Sequence, residues 1–322
     1  MKLYKRSFSS MGCPCGIQFY AVDDQMAENV FKAVFAEVER LNHYYTNYSA
    51  SSFTAAINRS AGDKAGILVD PETATLLDYA QQCTIISDGL FDITAGALRR
   101  AWVFEKNNAV LPSQETLDKL LTIVGWEKVK WKNPRFTLPK KGMMIDFGGI
   151  VKEYAADSAE KICRSMGVNH GFVDMGGDIK IIGPHMDGRP WGIGVNHPRV
   201  RDKEIAVIGL GTGAVATSGD YERSIKIDGK IYSHILNPKT GWPVEGISGV
   251  TVVADHCLIA GSLTTITFLK GKDKGIKWLK SFGVPFFCAD QYGMPIASRD
   301  FEFSHLAPLN SSQSKEGSVQ RV

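Results

Sequence analysis

Residues 215–241 read VATSGDYERSIKIDGKIYSHILNPKTG, and the patterns inside this stretch set how the rest of the chain is read. Residues 224–227 and 230–233 are two short β-patterned runs on either side of Asp228-Gly229, a dipeptide suited to the positive φ angles of a tight hairpin. The second run carries His234 into Asn237-Pro238-Lys239-Thr240-Gly241, a series of turn formers that ends the strand and fixes where the imidazole points. Ahead of the hairpin, Thr217, Ser218 and Gly219 form a small-residue corner leading into Asp220. A rigid strand end is a good mount for a catalytic side chain, and an imidazole titrates in the useful range. Taken alone, the stretch also fits an ordinary half-buried hairpin histidine.

Outward from this hairpin, strands dominate the C-terminal half: 171–174, 178–182, 191–195, 204–210 and 248–253, then helices at 258–269 and 273–282 and a closing pair at 285–289 and 295–297. Towards the N-terminus, 2–9 and 15–22 alternate as two opening strands around Met11-Gly12. Residues 25–45 place Val30, Phe31, Val34, Phe35, Val38 and Leu41 at helical spacing, a stripe expected in the core. A polar loop at 46–62 follows, then a helix at 71–87 stopped by Asp88-Gly89, a short helix from Asp92 to Trp102 and a helical run at 113–124. Short strands at 129–131, 136–138 and 143–145 precede Gly148-Gly149, after which 150–166 returns to helix. Asp146 and these glycines thus sit at a strand-to-helix junction, where unpaired backbone groups can meet a ligand or cation. Mixed strands and helices without strict βαβ alternation, an internal repeat or a Pro-rich linker predict one large α+β domain over residues 1–306. Residues 307–322 are too poor in apolar side chains to pack and are expected to be a disordered tail.

The 322 residues carry 44% hydrophobic and 22% charged side chains, the balance of a soluble protein able to bury a large core. A net charge of +3 with interspersed signs excludes a general nucleic-acid binder. The N-terminus lacks the apolar core of a signal peptide and no later run is long enough to span a bilayer, so no membrane anchor and a cytoplasmic location are expected. Of six cysteines only Cys13 and Cys15 are close, a spacing too poor for zinc. Reduced, mostly buried thiols are expected, with a Cys13–Cys15 redox pair as the alternative. Gly148-Gly149, Gly176-Gly177 and 209–213 lack both the Walker lysine and the Rossmann acid, and by themselves read as turns or bulges.

TSGDYER at 217–223 followed by HILNPKTG at 234–241 resembles the paired signature of the ApbE family, the FAD:protein FMN transferases. Three further blocks are similar to that family: SDGLFDITAGALRRAW at 87–102, DFGGIVKEYAAD at 146–157 and DMGGDIKIIG at 174–183, so the resemblance spans residues 8–271. It implies a single α+β domain whose mixed, largely antiparallel sheet is flanked by helices. It also implies a reaction, in which a Ser or Thr hydroxyl of an acceptor flavoprotein attacks the FMN-side phosphorus of FAD and AMP leaves with help from Mg²⁺. The resemblance makes His234 catalytic, as base or transient nucleophile, and gathers Met11, Tyr48, Asn58, Leu90, Phe91, Asp92, Asp146, Lys152, Ser218 and Ile235 around the flavin nucleotide. Asp146 is expected at the flavin or ribityl region and Lys152 at the diphosphate. Tyr48, Ser52 and Asn58 match the family's loop over the ligand, with Thr46 in place of its first serine. Phe91 as core and Asp92 as helix cap are compatible roles.

For the metal the resemblance implies the Gly149 carbonyl and the Thr265 hydroxyl. Here the chain departs from the family's A-D-A-x-x-T: Ala260-Gly261-Ser262-Leu263-Thr264-Thr265 keeps the threonine and has Gly261 where the carboxylate stands. Magnesium is usually held by one or two carboxylates plus phosphate oxygens, so weaker binding is expected unless water or the diphosphate takes the vacant place. The acceptor motif implied, D-G-x-[ST]-G-A-T, has no counterpart in the chain, so the acceptor is another protein. Two rival readings use the same residues: an FAD pyrophosphatase, with Asn58 influencing the outcome, and a flavin-binding protein without turnover, suggested by Gly261.

Overall fold

A computed structural model describes residues 1–102, 104, 110–200, 203–221, 224–298, 301 and 320–321. Its strands are β1 (Lys2–Ser10), β2 (Cys13–Ala21), β3 (Ile67–Leu68), β4 (Lys130–Lys132), β5 (Arg135–Thr137), β6 (Gly171–Met175), β7 (Asp178–Gly183), β8 (Trp191–Asn196), β9 (Glu204–Leu210), β10 (Ala214–Gly219), β11 (Ser224–Ile227), β12 (Lys230–Ser233), β13 (Ile247–Ala254), β14 (Phe286–Asp290), β15 (Pro295–Ala297) and β16 (Gln320–Arg321). Its helices are α1 (Asp24–Tyr45), α2 (Phe53–Arg59), α3 (Pro71–Ile86), α4 (Gln114–Leu121), α5 (Val151–Ser165), α6 (Cys257–Lys270) and α7 (Lys272–Lys280), with 3₁₀ segments at Ile93–Arg100 and Trp126–Lys128.

The first hairpin closes through Met11 and Gly12, both at positive φ (51° and 72°), the two-residue geometry that matches strand twist. From it grows an eight-stranded sheet in the order β1-β2-β6-β7-β10-β13-β14-β15, antiparallel at every pairing. Successive residues of a strand face opposite sides, and both sides of this sheet are covered. Ile17, Val173, Met175 and Ile182 pack against Val30, Val34 and Val38 of α1 and Ala156 and Ala159 of α5. Phe172, Ile179, Ile181 and Val215 face the other way, onto Trp191, Ile193 and Ile208 of the β8–β9 sheet. That double cover is why β6 and β7 are buried along their whole length. The predicted α+β architecture is therefore the one observed.

Three local expectations differ from the structure. Within the predicted loop 46–62, residues Phe53–Arg59 are helical, started by Ser52, whose hydroxyl accepts from the Ala55 amide. The small-residue corner belongs to β10, a strand between β7 and β13 whose short side chains let α6 approach closely. Residues 143–145 join no sheet: the Asn58 amide bonds both the N–H and the carbonyl of Ile145, doing what a neighbouring strand would do. The predicted tail lies outside the described residues except for Gln320–Arg321, which run parallel to β8. No helix among the described residues is long and apolar enough to cross a membrane.

Candidate active site

One side of the sheet opens into a cleft of ≈ 1580 Å³. Its walls are the β1–β2 turn, the chain after α1, the Ile93–Arg100 segment, the start of α5, the end of β10, the segment after β12 and one face of α6. Met11, Tyr48, Leu90, Phe91, Asp92, Asp146, Gly149, Lys152, Ser218, His234, Ile235 and Thr265 all line it. Asn58 does not, because its amide is spent on Ile145 and on Asn47 Oδ1.

His234 leaves the end of β12 half-buried. The Ser233 hydroxyl accepts from the Ile235 amide, and Asn237 accepts from the Lys239 amide through its side chain and from the Gly241 amide through its carbonyl, 2.8 Å each. The turn is then tied down from outside. Lys239 Nζ donates to the Asp88 carbonyl at 2.6 Å and Trp102 Nε1 to the Gly241 carbonyl at 2.8 Å.

Asp146, also on the cleft lining, accepts from the Gly148 amide at 2.8 Å and from Arg99 at 2.5 Å. Arg99 also lies 4.6 Å over the ring of Tyr48, which is 78% exposed at the rim. The segment carrying Arg99 can lie this close because residue 96 is glycine: a Cβ there would stand 2.9 Å from the Ile145 carbonyl carbon. Lys152 Nζ pairs with the buried Asp178 at 2.5 Å. The Ser218 hydroxyl lies 2.9 Å from that of Thr264 and 3.3 Å from that of Thr265. Phe91 is core, and Asp92 accepts from the Thr94 amide and hydroxyl and the Trp126 amide, so both compatible roles hold. Burial pushes the Asp92 carboxyl up against those hydrogen bonds.

All six cysteines are unpaired and all but Cys13 are buried. Cys13 and Cys15 line the cleft with their sulfurs 3.7 Å apart, and the contact with Cys15 lowers the Cys13 thiol. Gly261 is buried on α6 beside Glu153, so position 261 is not open space.

The ApbE family model matches residues 11–287. The chain belongs to the ApbE family. It is 31% identical over 233 residues to the FAD:protein FMN transferase of Chlamydia pneumoniae, covering 70% of this chain and 72% of that one. A second such transferase, from Vibrio cholerae, is 28% identical over 79% of this chain and 78% of its own. Among solved structures, the ApbE protein of Thermotoga maritima superposes with a TM-score of 0.88 at 33% identity, covering 95% of this chain and 100% of that one. The Pseudomonas stutzeri flavinyl transferase ApbE gives 0.83 at 26% identity, covering 96% and 98%.

Within this ApbE cleft, two lining groups, Arg99 and Glu153, carry no motif signal of their own. Arg99 lies within the 87–102 segment, and its place in the cleft shows only when the fold brings Asp146 beside it. Glu153 likewise gains meaning only from its neighbour on α6. Asp220 of the signature does not line the cleft but accepts two bonds of 2.7 Å from Arg199, and Glu222 and Arg223 lie outside the described residues. No three His, Cys, Asp or Glu among the described residues converge as metal ligands.

Proposed function

We propose that this cleft transfers FMN from FAD to a Ser or Thr hydroxyl of an acceptor flavoprotein and releases AMP. Membership of the ApbE family supports the reading, and the observation that carries it is the convergence of His234, Lys152, Asp146, Ser218 and Thr265 on one cleft. The acceptor oxygen forms a bond to the FMN-side phosphorus as the bond from that phosphorus to the AMP oxygen breaks. The leaving AMP keeps the electron pair. His234, at the end of β12, takes the proton of the attacking hydroxyl. Lys152, which lines the cleft and pairs with Asp178, would hold the diphosphate as a compact point charge. Arg99 and Asp146, paired on the lining of the same cleft, orient the flavin end of the nucleotide.

The residues fit a hard divalent cation. Thr265 offers a hydroxyl and Gly149 a backbone carbonyl beside the cleft, an oxygen-only set suited to Mg²⁺. When bound, such an ion supplies charge neutralisation on the diphosphate. The acceptor is a protein bearing a D-G-x-[ST]-G-A-T-like segment, which enters extended beside His234. The unpaired thiols support action in a reducing compartment such as the cytoplasm.

The test is incubation with FAD, Mg²⁺ and a domain carrying that segment, followed by mass measurement and AMP assay. A mass gain equal to FMN minus water on the acceptor, matched by AMP, is expected. AMP formed equally without the acceptor marks a pyrophosphatase, and bound FAD with no AMP in either arm marks a binding protein.

A further inference from the structure

Helices α5 and α6 run side by side in opposite directions, and their contacts set a register. At one level Asp157 accepts from the Cys257 and Leu258 amides at 2.9 and 3.0 Å. One turn back along α5 and one turn on along α6, Glu153 meets Gly261. A Cβ at 261 would stand 2.6 Å from Glu153 Cγ and 2.7 Å from its Oε1. One turn further along α6 lies Thr265, and Gly149 stands two residues before α5 begins; both line the cleft together with Glu153.

The glutamate therefore fills the volume that any side chain at 261 would need. It brings a carboxylate only 6% exposed to the cleft wall, between the level of Asp157 and that of Thr265. We propose that Glu153 supplies the anionic ligand of the divalent cation, from α5, in place of a carboxylate at position 261 on α6. The inference rests on the flavin-transfer reading above. It turns the glycine from a lost ligand into the opening that admits a ligand from the facing helix. One carboxylate, one hydroxyl and one carbonyl, with diphosphate oxygens, make the oxygen shell that Mg²⁺ requires.

Mn²⁺ uptake in the presence of FAD, followed through the EPR signal of the free ion, tests this without turnover. The wild-type chain is expected to take up the ion. Glu153→Gln should bind it roughly tenfold or more weakly, at least the loss usual for groups around a metal, with flavin binding and melting temperature retained. Gly261→Ala keeps the glutamate but pushes its Cγ aside, and should weaken uptake too. Moving the carboxylate back across the helix pair, with Gly261→Asp in a Glu153→Gly background, should recover most of the affinity. Wild-type uptake by Glu153→Gln overturns the assignment and leaves the flavin-transfer reading standing. If that variant does not fold, the paired exchange decides, and no recovery in it overturns the assignment. A wild-type chain that binds FAD but no Mn²⁺ overturns the cation's part in the reading and this inference together, whereas failure of FMN transfer with Mn²⁺ uptake intact breaks only the transfer reading.

Discussion

The two sides of the cleft are built in different ways. On the α5–α6 side, Glu153, Asp157, Gly261 and Thr264 are buried, and the helices are locked by side-chain bonds to backbone amides. On the His234 side, β11 and β12 pair, among the described residues, only with each other, and Lys226, Asp228, Lys230 and Ile231 are exposed. That hairpin rests on a small cluster, Ile225 against Trp102 and Leu117, and on the tethers from Lys239 and Trp102. The difference matches two kinds of substrate. A diphosphate needs charges held in fixed positions, whereas a protein segment is met better by a wall with few buried contacts that can open locally.

The sharpest way to separate the two walls is His234→Ala. Transfer should fall by about a hundredfold or more, the usual contribution of a positioned acid–base group, while FAD affinity by flavin fluorescence stays near that of the wild type. Parallel loss of FAD affinity would place His234 with the nucleotide-holding wall and break the division. Next in size is Gly96→Ala, which forces a Cβ to within 3.0 Å of the Asp146 amide nitrogen and 2.9 Å of the Ile145 carbonyl carbon. Backbone on both sides leaves little room to yield, so urea unfolding should show a loss of about 1–3 kcal/mol, and FAD affinity should drop as Arg99 and Asp146 separate. Asp157→Ala leaves two amides at the start of α6 without their acceptor. A loss of about 0.5–2 kcal/mol is expected in the same assay, and Mn²⁺ uptake should weaken as the helix register loosens.

The parts of this arrangement that were legible in the sequence are those specified locally. Asp228 and Gly229 take φ of 50° and 81°, and the hairpin they predict has the observed bounds. The stripe of α1 and the opening strands are of the same kind, since each is set by neighbours a few residues away. Strand β10 was not legible as a strand, because Ala-Val-Ala-Thr-Ser-Gly has weak β-propensity and owes its conformation to β7 and β13 on either side. Residues 143–145 pattern as a strand, and only the distant Asn58 shows why they are not one. At the site, His234, Ser218 and Lys152 were reachable through motifs. The Glu153–Gly261 contact was not, because it joins helices far apart in the chain and neither residue is informative without the other.

The smallest effect belongs to the rim of the His234 side. Arg199 grips Asp220 with two bonds of 2.7 Å and donates from Nε to the Gln291 carbonyl at 3.0 Å, joining the end of β10 to the chain after β8 and to the β14–β15 turn. The pair is two-pronged, yet about a quarter of the Arg199 side chain is open to solvent (26%), so water and salt screen much of its attraction. Lysine keeps the charge and loses the fork that matches a carboxylate. Arg199→Lys should therefore change stability by less than about 1 kcal/mol in urea unfolding, with the difference shrinking as salt is raised, and leave FAD and Mn²⁺ binding as they were. Its effect should appear instead in a higher KM for the acceptor, because Asp220 follows directly on the β10 end, which lines the same cleft as His234. A loss above about 2 kcal/mol would mean that this rim is as firmly held as the α5–α6 wall, beyond what exposed ion pairs supply. The contrast between a fixed nucleotide side and an adaptable acceptor side would then fail, and the acceptor would have to meet a preformed surface.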